Sequence, residues 1–226
     1  MLSLLALSLA GTILVVILLL QRRARDMQNS SPVPPSLLFD NGPQRPVTWL
    51  AIRAATPESV LQALGLDRTA PCSWSEGIAG DHEYFISSRI NGWIIVTGIA
   101  IPNPADDVDE CYHYLISLSR KLGHVQYFHA DKFSHHHAWM RLDDGCVTRA
   151  YAWTGETVWN QGLKTAAELE LKMKCFAYGQ ESFSVRAIEE NFEKVSLLAT
   201  RWSLDPARIR SLKKADGLTG QSSRVI

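Results

Sequence analysis

The chain has 226 residues, a length that fits one domain with extensions or two small domains. Its 23 basic and 23 acidic residues give a formal net charge of zero, so overall charge points neither to nucleic acid nor to a strongly basic partner. Apolar residues make up 46% of the chain, which is enough to build a core. Part of that apolar content is concentrated in one N-terminal segment.

The first 20 residues, MLSLLALSLAGTILVVILLL, carry no charge. A helix of this length rises about 30 Å, which matches the hydrocarbon thickness of a bilayer. A cleavable signal peptide is the alternative, but such a peptide begins with a basic region, and no basic residue precedes this apolar run. The sequence therefore predicts a single transmembrane anchor over residues 1–20, embedded in the lipid bilayer.

The charges that flank the predicted anchor set its orientation. Arg22, Arg23 and Arg25 follow the apolar run, and no Lys or Arg precedes it. The positive-inside rule then predicts a single-pass protein of the cell (inner) membrane, with its N-terminus outside and its domain in the cytoplasm. The four cysteines are scattered and form no CxxC pair, so we expect buried thiols; two disulfides are the alternative and require the opposite topology.

The pattern of turns and apolar runs predicts four segments. Residues 1–20 are the anchor, and residues 21–46 carry five prolines and predict a semi-extended linker. Residues 47–160 predict an α+β domain. Residues 161–226 predict a helical C-terminal part that ends in a basic tail.

The order of elements within residues 47–130 suggests a fold. A β-rich run at 47–55 precedes a helix that Thr56 caps, a hairpin turns at Asn91-Gly92, and a helix over 104–123 precedes a strand at 124–130. This order, β-α-β-β-α-β, resembles that of a ferredoxin-like sheet, and a further β-hairpin turns at Asp143-Asp144-Gly145. We therefore expect a ferredoxin-like sheet extended by a hairpin, with helices after it; such a resemblance implies no function.

Four of the seven histidines lie in the segment YFHADKFSHHHAWMR, residues 127–141. Alternate side chains of a strand share a face, so His135 and His137 would face His129 or Asp131 across a turn. Three such ligands can hold zinc with an open position, as in a metal-dependent hydrolase. The spacing matches no established metal motif, so a polar hairpin without a cofactor is the leading interpretation, and a zinc site of His129, Asp131, His135 and His137 is the alternative.

No catalytic motif is evident, because the chain lacks a GxSxG elbow, a Walker loop, a GxGxxG motif and a kinase signature. Tryptophan and arginine, which are enriched at interface hot spots, instead cluster near the second hairpin. The candidate partner-binding residues are Arg141, Arg149, Trp153, Trp159 and Asn160, with Trp159 expected in an exposed loop. The alternative is that the later helices cover this face, which would make these residues part of the core.

The leading functional prediction is a membrane-anchored cytoplasmic module that binds a protein, with a toxin-neutralising (immunity-type) protein as its narrower form. A metal-dependent hydrolase and a structural subunit of a membrane complex are the alternatives. No nucleic-acid partner is expected. The basic C-terminal residues Arg208, Arg210, Lys213 and Lys214 are expected to form a solvated, frayed end of the chain. Weak attraction to anionic lipid, about 1 kcal/mol for each charge near the surface, is the alternative.

Overall fold

The computed structural model describes residues 45–54, 56–180, 184–209 and 216–222. Nine strands form in these residues: β1 (Thr48–Ile52), β2 (Leu66–Cys72), β3 (Tyr84–Ser87), β4 (Ile94–Thr97), β5 (Val125–Ala130), β6 (His137–Asp143), β7 (Cys146–Trp153), β8 (Thr157–Gln161) and β9 (Gly217–Ser222). They make one antiparallel sheet in the order β2-β9-β3-β4-β1-β5-β6-β7-β8.

The helices cover both faces of this sheet. They are α1 (Pro57–Leu64), α2 (Trp74–Ala79), α3 (Val108–Leu122), α4 (Ala166–Glu170) and α5 (Val185–Trp202), with a 3₁₀ turn at Pro206–Arg208. Leu61 of α1 and Leu115 of α3 pack in one core cluster, whereas Ile78 of α2 and Val195 of α5 pack in a second. We call the two sides of the sheet the α3 face and the α5 face.

The central strand β1 contributes to both cores. Leu50 and Ile52 lie in the core of the α3 face, and Trp49 and Ala51 lie in the core of the α5 face. All four side chains are completely buried. A strand covered on both faces is apolar at successive positions rather than alternate ones, which explains the sequence TWLAI.

The helix cap and the hairpin turn that the sequence predicted are present in the structure. Thr56 accepts a hydrogen bond from the backbone N–H of Ser59, and Pro57 opens α1. Asn91 and Gly92 adopt positive φ values of 50° and 87°, and the two-residue turn that they form joins the bridged residues on either side.

The predicted ferredoxin-like fold is wrong. The sheet has nine strands in the described residues, and three of them fall where loops or a tail were predicted. Residues 66–79 form β2 and α2, residues 157–161 form β8, and residues 217–222 form β9, which pairs with both β2 and β3. The sequence did not predict these strands because they contain Gly, Pro and polar residues, which are uncommon in strands. Pairing with strands that are distant in the sequence, rather than local propensity, holds them in the sheet.

The structure shows no membrane-spanning helix in the residues that it describes. Among the residues that the structure describes, no helix combines the length and the apolar character needed to span a bilayer. The predicted anchor, and the predicted linker apart from Arg45 and Pro46, lie outside the described residues. The cytoplasmic location rests on the same segment and stays a prediction.

All four cysteines are free thiols. Cys72 and Cys111 are buried, as expected, and burial raises the pKa of Cys111 to about 12. Cys175 is half-buried, and Cys146 is exposed at the start of β7, which the sequence did not predict.

Close packing around Gly217 makes the position of β9 testable. A Cβ atom at this residue would lie 2.3 Å from the carbonyl oxygen of Ile86 and 2.5 Å from the ring of Phe85. We expect Gly217→Ala to lower the free energy of unfolding by about 1–3 kcal/mol, the usual cost of overpacking, in chemical denaturation. Gln221→Ala, at an exposed position of the same strand, should leave that free energy nearly unchanged. Equal stability of both variants and the parent would show that β9 does not pair in the sheet.

Candidate functional site

The residues predicted to bind a partner are mostly buried. Trp153 is 3% exposed and Trp159 is 6% exposed. The expected exposure of Trp159 is wrong, because this residue lies in β8 and its ring packs 5.4 Å from that of Tyr112 on α3. Composition alone does not distinguish an exposed interface Trp from a buried core Trp, because Trp is common in interfaces and in cores.

Arg149 forms an ion pair in the interior of the protein. Its Nε lies 2.9 Å from Oε1 of Glu168, and the two side chains are 2% and 0% exposed. Glu168 also accepts hydrogen bonds from Nε1 of Trp139, at 2.8 Å, and from the backbone N–H of Thr165, at 2.7 Å. Nη1 of Arg149 donates to Oδ1 of Asn160, at 3.0 Å, and to backbone carbonyl oxygens nearby.

This network joins β6, β7 and β8 to the N-terminus of α4. Arg149 and Asn160 therefore stabilise the fold through contacts within the protein. Arg141, the remaining candidate, is half-buried and places its guanidinium 5.3 Å from the ring centroid of Trp202 on α5. The five residues therefore line intramolecular contacts rather than one free surface.

Glu168 gives a strong stability prediction. Replacing a buried carboxylate by an amide leaves the Arg149 cation without its counter-charge, and such losses cost about 3–5 kcal/mol. We expect Glu168→Gln to reduce the free energy of unfolding by that amount in urea denaturation. The matched control is Glu190→Gln, which breaks the partly exposed i,i+4 pairs with Arg186 and Lys194 and should have little effect. A similar small effect at both positions would contradict the role of the buried pair.

The histidines predicted as zinc ligands do not converge. His129 pairs with Ala138, and His137 pairs with Ala130, so the two histidines lie on opposite faces of the sheet. His135 is exposed in the turn, with φ of 57°. Among the described residues, no group of three or more His, Cys, Asp or Glu side chains is placed to hold a metal ion.

His137 has a structural role on the α5 face. Its Nδ1 donates to the carbonyl oxygen of His135 at 3.0 Å, and its Nε2 lies 3.4 Å from Nδ2 of Asn191 on α5. The ring is completely buried and stacks on Trp139 with an interplanar angle of 9°. Burial lowers the pKa of His137 to about 4, so the ring is neutral at pH 7.

His129 lies instead on the α3 face, at the wall of a cavity. The cavity has a volume of about 390 Å³ and lies where β1 begins and where β4 and β5 end. We call it the sheet-end cavity. The polar side chains in its lining are Arg45, Thr48, Asn103, Asp106, His129 and Asp131.

His129 is hydrogen-bonded at one ring nitrogen. Its Nδ1 lies 2.8 Å from the hydroxyl oxygen of Thr48, and which of the two groups donates depends on the tautomer of the ring. The hydroxyl of Tyr127 donates to the carbonyl oxygen of Pro102 at 3.2 Å, and burial raises the pKa of Tyr127.

Nε2 of His129 is buried and has no hydrogen-bond partner among the described residues. The residue is only 3% exposed, and burial lowers its pKa to about 4. A buried polar nitrogen without a partner costs free energy, commonly about 1–3 kcal/mol, which makes it unusual in a native fold. Nη2 of Arg45, a residue of the same lining, is also buried without a hydrogen-bond partner.

Exposed apolar side chains lie in the lining of the cavity and in the turn next to it. Ile99 and Val47 line it and are 75% and 49% exposed. Phe133, which is 91% exposed, lies in the turn that starts at the cavity residue Asp131. We call Val47, Ile99 and Phe133 the apolar rim.

Sequence reasoning found His129 and Asp131 but missed Arg45, Thr48, Asp106 and the apolar rim, which come from segments far apart in the chain. No family model, no curated protein and no solved structure matches this chain. None of these comparisons supports the narrower prediction of an immunity-type protein.

The two buried histidines predict a dependence of stability on pH. In each case the pKa falls from 6.5 in the unfolded chain to about 4 in the folded protein. Above pH 6.5 both states are neutral, and as pH drops from 6.5 to 4 the unfolded state gains protons first and is favoured. We expect a loss of about 3 kcal/mol per histidine by pH 4, from 1.36 kcal/mol per pKa unit.

Urea denaturation between pH 7 and pH 4.5 measures this loss. His137→Gln should lower stability at pH 7 but flatten the dependence on pH, because one of the two titrating groups is gone. An unchanged slope in this variant would contradict the assignment of His137 as a buried neutral ring.

Proposed function

We propose that the protein is a protein-binding module whose partner docks on the apolar rim of the sheet-end cavity. The observation that carries the proposal is the exposure of Phe133 and Ile99 beside a cavity whose lining includes the buried residue His129. Burial of a large apolar side chain on binding is worth about 1.5–3 kcal/mol, so these residues can supply a large share of a binding free energy.

The loop that carries Phe133 is ordered by its own hydrogen bonds. Oδ1 of Asp131 accepts from the backbone N–H of Phe133 at 2.9 Å, and Oδ2 accepts from the hydroxyl of Ser134 at 2.7 Å. The backbone N–H of Asp131 donates to the carbonyl oxygen of His136 at 2.9 Å. A loop that is already closed loses less conformational entropy when it binds, which favours its use as a docking element.

The charged side chains around the cavity favour a partner with basic groups. The lining holds two carboxylates, Asp106 and Asp131, and one cation, Arg45, and the first turn of α3 adds Asp109 and Glu110. Complementary charge favours specific encounter and excludes partners of like charge. The proposed occupant is therefore a protein segment in which a basic side chain lies next to an apolar one.

Site-specific photocrosslinking in cells tests this proposal. The full chain is expressed with a photoreactive phenylalanine derivative in place of Phe133, and adducts are identified by mass spectrometry. We expect one discrete adduct, which Ile99→Asp removes because a carboxylate on the rim disrupts apolar docking.

Leu163 provides the matched control, since it is 90% exposed but lies after β8, away from the rim. The same photoreactive residue at this position should give no discrete adduct. Absence of an adduct at position 133, or the same adduct at both positions, would show that the rim is not a docking surface.

A further inference from the structure

We infer that the outer edge of β8 is a pairing surface for a second copy of this chain, and that the hydroxyl of Tyr178 keeps this edge closed. The edge belongs to the last strand of the sheet, whereas the sheet-end cavity lies at the end of β1, β4 and β5. The inference therefore goes beyond the proposed function and does not depend on it.

The two edges of the sheet differ in how they are protected. An edge strand presents backbone N–H and C=O groups that can pair with another chain, and charged residues or proline in the strand discourage such pairing. In the described residues the edge strands are β2 and β8. β2 contains Asp67, Arg68 and Pro71, whereas β8, with the sequence TVWNQ, contains neither a charged residue nor a proline. The edge of β8 therefore needs protection from elsewhere in the chain.

The hydroxyl of Tyr178 provides this protection. It accepts a hydrogen bond from the backbone N–H of Asn160 at 2.6 Å, and it donates to the backbone carbonyl oxygen of the same residue at 3.3 Å. Asn160 lies opposite Tyr151 of β7, but its N–H and C=O bond to Tyr178 and so point to the outer side of β8. One hydroxyl thus occupies the two groups through which a further strand would pair at Asn160.

The segment that carries Tyr178 is attached to the sheet independently of this hydroxyl. The carbonyl oxygen of Phe176 accepts from the hydroxyl of Thr157 at 3.1 Å, and its N–H donates to the hydroxyl of Tyr151 at 3.1 Å. The Tyr178 side chain itself is 59% exposed. We therefore expect loss of its hydroxyl to open the edge without detaching the segment.

The edge is complementary to itself in an antiparallel arrangement. Two residues opposite each other in antiparallel strands exchange both N–H···O bonds, so two copies of β8 can pair at Asn160 through the groups that Tyr178 occupies. This two-fold register also brings the exposed residues Glu156 and Lys164 of opposite copies together on each side of the axis. Nζ of Lys164 donates to the carbonyl oxygen of Met173, which leaves two of its three donors for a carboxylate. Because opposite charges at facing positions stabilise pairing, a second copy is the partner that this edge fits.

Hydrogen exchange of the Asn160 amide in the purified full chain, at low and at high protein concentration, tests the inference. In the parent this amide bonds to Tyr178, so its exchange rate should not depend on concentration. In Tyr178→Phe we expect exchange about fivefold faster at low concentration, the effect of losing one hydrogen bond. At high concentration the rate should return toward that of the parent, and sedimentation should show a mass that rises toward that of a dimer.

Two further variants serve as controls. Tyr112→Phe removes the hydroxyl of another partly exposed tyrosine, on α3, and should leave exchange at Asn160 as in the parent. Tyr178→Phe combined with Glu156→Lys sets two lysines opposite each other in the proposed register, and like charges there oppose pairing. In this double variant the Asn160 amide should exchange fast at both concentrations. The amide spectrum of each variant verifies that it remains folded.

Four results would overturn the inference. They are an unchanged rate at low concentration in Tyr178→Phe, a fast rate at both concentrations in that variant, the same concentration dependence in the parent, and equal recovery of protection in the double variant. A closed edge in the parent is consistent with the absence of an adduct expected at Leu163, and crosslinking at position 133 reports on the rim alone.

Discussion

Burial of β1 on both faces is the constraint on which the rest of the structure depends. Trp49, Leu50, Ala51 and Ile52 are completely buried, alternately against the helices of the α5 face and of the α3 face. Burial of apolar surface on both sides stabilises the sheet and leaves no open sheet face at its centre for a ligand. Polar groups near β1 can therefore meet a ligand only at the end of the strand, which is where Thr48 and the sheet-end cavity lie.

Because both faces of the sheet are covered, polar side chains on the inner strands must find hydrogen-bond or ion-pair partners inside the protein. Arg149 and Glu168 meet this condition through each other and through Trp139, Asn160 and backbone groups. Trp and Arg are also typical of interface hot spots. Buried cores and interfaces both favour large side chains that bury apolar surface while a polar atom keeps its hydrogen bond. Composition alone could not tell which of the two environments these residues occupy.

Local features were predictable from the sequence, whereas pairing between distant segments was not. The Thr56 cap and the Asn91-Gly92 turn depend on residues within a few positions, and both are present. The identity of β9 depends on contact with β3, more than 100 residues away, and GLTGQS gives no strand signal of its own. The predicted zinc site was wrong because of the strand register. His137 pairs with Ala130 rather than with His129, so the two histidines lie on opposite faces of the sheet.

Asp131 connects the two features of the proposed binding site. Its carboxylate holds the Phe133 loop through two hydrogen bonds, and the same residue lines the sheet-end cavity near His129. Those hydrogen bonds also favour the ionised form, so order in the loop and negative charge in the cavity depend on one group.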